Sequence, residues 1–371
     1  MQKVLGVIFA DSHYANIKEL TNVRPLGALP INGRYRAIDF VLSNMVNSGM
    51  INVAVVTQNN YHSLMGHLGS GKQWNLARKR YGLTLFPPFS NLSSTGSDSR
   101  IDILYGVLDF LKRSTQEYVL LAESNIIINK TFKKFFETHL ESHADISIAY
   151  KNIKEYPSFD AIESYIYTDE NENVTGIDTG ENIAGSTKKY FGYILVNKQV
   201  LINFIEHSKV RGKKGYLTNL IARNIGNLKI KACNFDGYGR KIATIDDYYT
   251  TSMEILKKEV RDELFNPNHP IYTKDKDTTP SRYLSNANVK NCFIADGCTI
   301  DGTVENSIIF RGVSIKKGTT IKNSIILQQS DIGSNVRLER VILDKKVIVR
   351  DESELVGTKN FPIIVGKGNI I

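Results

Sequence analysis

From Val289 onward the chain repeats itself. Asn291-Cys292-Phe293, Asn306-Ser307-Ile308, Asn323-Ser324-Ile325 and Arg340-Val341-Ile342 recur at spacings of 15, 17 and 17 residues. Inside these units apolar residues return every six positions: Ile294 and Ile300; Ile309, Ile315 and Ile321; Ile326, Ile332 and Leu338; Ile342 and Ile348. Gly297, Gly302, Gly312, Gly318 and Gly333 fall between them, where corners are expected. A six-residue period with three short strands per coil predicts a parallel β-helix. Each coil buries its apolar face only by stacking on a neighbour. A β-sandwich does not impose a fixed period. Residues 286–371 are therefore expected to form one β-helix domain.

The first two-thirds has a different rhythm. Val4 to Ala10 reads VLGVIFA, an apolar run of the kind found in strands buried on both faces of a parallel sheet. Ile38, Val41, Leu42 and Met45 follow at helical spacing, with Gly49 at a helix C′ position. Ile51–Gln58 predicts a second strand, 101–111 a helix and Tyr118–Ser124 a third strand. Phe132, Phe135, Phe136, His139 and Leu140 give one helix face, and Ala144–Tyr150 a further strand. This alternation implies an α/β, doubly wound, mostly parallel Rossmann-like sheet over residues 1–258. Ligands then belong at the carboxyl ends of the strands. Between the two patterns, 259–285 is polar, carries Pro267, Pro270 and Pro280, and reads as a linker.

A chain of 371 residues with 42% hydrophobic and 23% charged residues suits two soluble domains. The net charge of +9 favours anionic ligands. The cations are dispersed, without a basic helix, so nucleic acid is not an expected partner. Cys233, Cys292 and Cys298 form no CxxC pair, and reduced thiols in the cytoplasm are expected. The N-terminal apolar run is too short for a signal peptide or a membrane span. His62 and His67 lie five apart, off a shared helical face, so no metal site is expected there.

The turn after the first strand normally cradles phosphate and needs glycine for close backbone approach. Here it reads Asp11-Ser12-His13-Tyr14-Ala15-Asn16, without glycine or a lysine or arginine. Leu20 to Leu76, LTNVRPLGALPINGRYRAIDFVLSNMVNSGMINVAVVTQNNYHSLMGHLGSGKQWNL, resembles the N-terminal signature of the ADP-glucose pyrophosphorylase (glucose-1-phosphate adenylyltransferase) family. HLESHADISIAY, FDGYGRKIATIDDYYTTSMEIL and the hexapeptide repeats resemble it as well, so the likeness covers nearly the whole chain. It implies a nucleotidyltransferase domain followed by a left-handed parallel β-helix. It further implies ATP and glucose 1-phosphate as substrates, Mg²⁺ as cofactor and regulation by anionic metabolites.

The departures from the family pattern bear on chemistry. The family's GGxGTR loop falls on Asp11–Asn16, which puts Asn16 where the triphosphate-binding arginine stands. Its RAKP lysine corresponds to Leu26, in Arg24-Pro25-Leu26-Gly27. Its SGDH metal aspartate corresponds to Asn125, in Glu123-Ser124-Asn125-Ile126. Its GYWxDVGT metal aspartate corresponds to Lys241, and its EKP motif has no match around Gly176 to Gly180. Adenylyl transfer crowds phosphate charge into one crevice, where cations and Mg²⁺ must neutralise it. Magnesium needs hard oxygen ligands. Losing one preorganised electrostatic group typically costs roughly 10²–10³ in rate, so several losses together leave little activity.

The combination resembles the GlgD-type subunit of the family. The likeness implies a catalytically impaired regulatory chain that self-associates in isolation and assembles with a catalytic subunit, which supplies the Mg²⁺ and ATP chemistry. By the same resemblance Arg24 and Arg36 lie near an effector cleft for an anionic metabolite. Gln58 and Trp74 match the adenine-side region, where weak nucleotide binding is expected. Two alternatives stay open: an active adenylyltransferase or other sugar-1-phosphate nucleotidyltransferase, which needs the glycine-rich loop and metal aspartate, and a hexapeptide acyltransferase, which needs a catalytic histidine. Residues 289–371 contain no histidine.

Overall fold

A computed structural model describes the chain except residues 12–14, 59, 89–99, 153–161, 181–184, 211–216 and 359–360, and the side chains of 209–210. Nine strands build the main sheet. Gly82–Phe86, Asn52–Val56, Val4–Phe9 and Tyr118–Glu123 lie side by side and parallel. Lys188–Asn197 then runs antiparallel to Tyr118–Glu123 and joins the two halves of the sheet. Its first half also borders Glu163–Thr168, which forms a hairpin with Val174–Gly180; its other edge carries Ile146–Asn152 and then Ile230–Asn234. The doubly wound, mostly parallel reading holds, with Lys188–Asn197 and the hairpin strand Val174–Gly180 running against their neighbours.

Alternate residues of the first strand feed two cores. Val4 and Ile8 pack under the helix Ala37–Asn47. Leu5, Val7 and Phe9 pack on the other face with Ile103, Leu104, Leu111, Leu201 and Ile205. Gly6 lets the Ala37–Asn47 helix come close, since a Cβ there would meet the Met45 sulfur at 2.6 Å. That helix stops as its pattern predicts, with Gly49 at φ +87° just beyond it. The expected single helix over 101–111 is two, Arg100–Gly106 and Leu108–Arg113. Gly106 and β-branched Val107 are weak helix formers, and the chain breaks at Val107.

The expected linker is also partly structured. Its start belongs to the helix Lys258–Leu264, because Val260 and Leu264 are buried in the core between the domains. Its end includes the first β-helix strand, Arg282–Tyr283.

The hexapeptide region forms three parallel five-stranded sheets, one along each side of the coil. Ile300, Ile315 and Ile332 stack in register along one side, and Val304, Ile321 and Leu338 along the next. The recurring asparagines mark a corner. Asn291, Asn306 and Asn323 have φ of 51°, 45° and 47°, and Arg340 takes the same left-handed turn at 51°. Asparagine tolerates that conformation better than most residues. The third side of the coil faces the sheet domain. There Ile308, Phe310, Ile325, Leu327 and Ile342 pack with Leu20, Leu26, Phe40, Tyr248 and Tyr249. No helix among the described residues is long and apolar enough to cross a membrane.

Candidate functional site

The carboxyl ends of three strands meet as the topology requires. The Ala10 N–H donates to Val56 O at 2.9 Å, and the Ser124 N–H donates to Phe9 O at 3.1 Å. Asp11 ties this rim together: its carboxylate accepts the N–H of Leu26 (3.3 Å) and of Gln58 (3.1 Å). Burial raises the Asp11 pKa, opposed by these hydrogen bonds and by Arg100. Arg100 stacks on the Phe9 ring at 4.2 Å and donates to Asp11 O at 2.8 Å. Among the described residues, the cavity bounded by Phe9, Arg100, Glu123, Tyr190 and Thr218 measures about 20 Å³. Ligand pockets usually measure about 300–1,000 Å³.

The positions singled out by sequence sit as follows. Residues 12–14 of the loop Asp11–Asn16 lie outside the described residues. Asn16 is exposed, and its N–H donates to Ala243 O at 2.7 Å. Leu26 is a core residue, packed with Leu20, Phe40 and Tyr248. Asn125 is fully buried; its amide donates to Ile242 O at 2.6 Å, and Ile242 N–H donates back to Asn125 O. These bonds hold residues 125 and 241 beside each other, as a shared site would require. Lys241, however, points its ammonium at two carboxylates, Glu163 (3.3 Å) and Glu123 (3.5 Å). An ammonium between the carboxylates and an amide donating to a carbonyl do not fit a Mg²⁺ ion, which requires oxygen ligands in near-octahedral array.

Asp247 closes the same corner. It sits at N3 of the helix Ile245–Glu254 and completes a capping box with Thr244. Its carboxylate accepts the Ala243 and Thr244 N–H groups at 3.0 and 2.9 Å. Burial pushes its pKa up to about 6 against those hydrogen bonds.

The adenine-side expectation divides. Gln58 stands on the crevice rim, and its Nε2 has no hydrogen-bond partner among the described residues. Trp74 is 1% exposed, packed in the core and edge-on to His67. It offers no face to a ligand, because the apolar indole is covered by the core.

The effector arginines divide too. Arg24 is buried, and its Nη2 lies 2.8 Å from both carboxylate oxygens of Asp344, so it is committed to the β-helix. Arg36 instead lines an interdomain cleft of about 420 Å³. Its guanidinium donates to Ser63 O at 2.7 Å, and its N–H donates to Asp39. The cleft collects six cations, Arg34, Arg36, Lys274, Lys276, Arg311 and Lys345, and among the described residues no carboxylate lines it. Burial lowers Arg36 to about 10 and Lys345 to about 7, with neighbouring cations adding to the Lys345 shift. His67 borders the cleft and bonds Asp39 at 2.6 Å. Six cations converging on one cleft give it a positive potential.

Sequence reasoning missed Lys274, Lys276, Arg311 and Lys345. They come from a proline-flanked connector and from β-helix corners, and no local spacing links them to Arg36. Glu163 was missed for the same reason; it reaches Lys241 across 78 residues.

Comparison with known proteins accords with both halves. Residues 15–257 match the family model described as "Nucleotidyl transferase", and residues 279–360 match "GlmU-like, C-terminal hexapeptide". The chain is 36% identical over 99% of its length to the glycogen biosynthesis protein GlgD of Geobacillus stearothermophilus, covering 97% of that protein. It is 33% identical to GlgD of Bacillus subtilis (strain 168), over 99% of this chain and 96% of that one. The chain belongs to the ADP-glucose pyrophosphorylase family and is of the GlgD type. A glucose-1-phosphate adenylyltransferase from Fervidobacterium nodosum is 32% identical over 95% of this chain and 85% of its own. Membership of this ADP-glucose pyrophosphorylase family carries a role in glycogen biosynthesis. The crevice holds an ammonium between two carboxylates, while the interdomain cleft is rich in cations.

Proposed function

We propose that this chain is a regulatory, catalytically impaired subunit of ADP-glucose pyrophosphorylase that assembles with a catalytic subunit and raises its activity. The observation that carries this reading is the Lys241 ammonium lying between Glu123 and Glu163, at a position that the family resemblance assigns to a metal-binding aspartate. Leu26 in the core and the Asn125 amide on Ile242 support it. Mg²⁺ and ATP are then handled by the partner.

Regulation is assigned to the interdomain cleft. An anionic metabolite held by Arg36, Lys345 and Arg311 would touch both domains and bias how they sit together. Allosteric couplings of about 1–3 kcal/mol change affinity roughly 5- to 150-fold. Assembly is supported by the first coil of the β-helix. Tyr283 and Val289 pair with Ile300 and Val304, which are fully buried, yet are themselves 55% and 36% exposed. Interior positions left open at a stack end call for a partner surface.

The test is an adenylyltransferase assay with ATP, glucose 1-phosphate and Mg²⁺, on the chain alone and mixed with its catalytic paralogue. Negligible turnover alone and enhanced turnover in the mixture are expected. Turnover alone within tenfold of an ordinary adenylyltransferase would sink the reading.

A further inference from the structure

The crevice carries its own cation. Lys241 and Glu163 are each 1% exposed and Glu123 is 5% exposed. The three charges arrive from three elements. Glu123 ends a central strand, Glu163 opens the strand of the outer hairpin, and Lys241 lies in a two-stranded ribbon with Ile126–Ile127. The Tyr190 ring stands 5.5 Å from the ammonium. Two carboxylates this deeply buried require a counter-charge, because an uncompensated charge in such a place is strongly unfavourable. A mobile divalent ion or side chains can supply it; here Lys241 stands between the two carboxylates, and the buried Lys189 lies near Glu163.

We infer that Lys241 is a tethered cation standing permanently between Glu123 and Glu163, so that this crevice is held together without metal. The inference rests on the same crevice as the functional reading and adds what stabilises it. The ammonium also links the ribbon to both parts of the sheet. Three buried oxygens of these residues, Glu123 Oε2, Glu163 Oε1 and Asn125 Oδ1, have no hydrogen-bond partner among the described residues. Without the lysine, these oxygens would be free to accept another cation.

The experiment follows melting temperature and Mn²⁺ electron paramagnetic resonance on the full chain. Wild type and Lys241→Arg should melt alike and leave added MnCl₂ free. Lys241→Met should melt lower and recover with Mn²⁺, its melting temperature climbing with the logarithm of ion concentration as ligand linkage requires. Asn125→Asp/Lys241→Asp should bind Mn²⁺ more tightly still. If Lys241→Met is recovered folded only with Mn²⁺ in the buffer, that counts as support. Wild type that binds Mn²⁺ at this site, or a folded Lys241→Met that melts like wild type and ignores Mn²⁺, overturns the inference. Activation of the catalytic paralogue is measured separately on wild type. A metal-blind chain that fails to activate removes the functional reading alone; an activating chain that binds Mn²⁺ here removes this inference alone.

Discussion

Arg24 and Asp344 are 320 residues apart in sequence, and each is almost wholly buried against the other: one guanidinium nitrogen sits 2.8 Å from both carboxylate oxygens. The pair links the loop after the first helical turn to the fourth coil of the β-helix. It also fixes the residue before Lys345, whose ammonium enters the cationic cleft. Interdomain geometry and the cleft are thereby tied to one ion pair.

Removing one partner of a buried pair leaves the other charge uncompensated, so Arg24→Ala and Asp344→Ala should each cost about 3–5 kcal/mol. The double variant should cost less than the sum of the two. Arg36→Ala removes a hydrogen bond to Ser63 and should cost only about 1 kcal/mol. Sulfate binding and effector response in the mixed enzyme should nevertheless fall most in Arg36→Ala. Chemical denaturation and calorimetric sulfate titration check both halves. If Arg24→Ala unfolds like wild type but loses the anion, the roles of the two arginines are reversed.

Lys345 gives the cleft a pH dependence. Burial first, then Arg36, Arg24 and Lys276, lower its pKa from 10.5 to about 7, against the pull of Asp344. Between these two values the unfolded chain binds the proton and the folded chain does not, so this group makes stability rise with pH from about 7 to 10.5 and withholds that stability below 7. Anion binding has the opposite sign, because it favours the ammonium. Sulfate affinity should therefore increase as pH falls through about 7, with proton uptake on binding above it. Titrations in buffers of different ionisation enthalpy measure that uptake. Lys345→Gln should flatten the profile and weaken binding.

The β-helix was legible because its period is a property of neighbours in sequence: each corner asparagine and each interior isoleucine announces the next. The strands of the sheet domain were legible for the same reason. The crevice was legible only as a set of departures. Leu26, Asn125 and Lys241 could be flagged against a family pattern, but Glu163 as the partner of Lys241 depends on sheet pairing. Trp74 failed as a ligand residue because burial is decided by the helix Ala37–Asn47 and the loop around it, not by its own segment. The cleft was least legible. Arg36 meets Arg311 and Lys345 only after the third side of the coil has packed on the sheet domain.

Asp247 tests how the crevice corner is held. Its carboxylate is raised to about 6 by burial while caping two N–H groups of the helix start. Between 3.8 and about 6 the folded chain holds the proton more tightly than the unfolded one, so this group lowers stability as pH rises through that window. Asp247→Asn keeps an acceptor and drops the charge; it should melt within a few degrees of wild type at pH 7 and lose this pH term. Asp247→Ala removes the cap and should cost about 1–2 kcal/mol. Denaturation curves from pH 4 to 8, taken as a range spanning the shift, separate the two variants.

The open first coil carries the last prediction. Tyr283, Leu284 and Val289 are exposed at the end of the stack, although the residues paired with Tyr283 and Val289 one coil further in are fully buried. Burying apolar surface yields about 25 cal/mol per Å², so three side chains of this size can favour association only as part of a larger contact that includes the unpaired strand edge. Charges placed here should oppose association without touching the interior of the coil. Tyr283→Glu/Val289→Lys should shift the isolated chain toward monomer in light scattering while leaving its circular dichroism and its β-helix melting unchanged. The same variant should lose activation of the catalytic subunit in parallel with loss of the mixed assembly. An unchanged oligomer would move the contact to the sheet domain. A monomer that still activates would separate activation from stable assembly through the coil end.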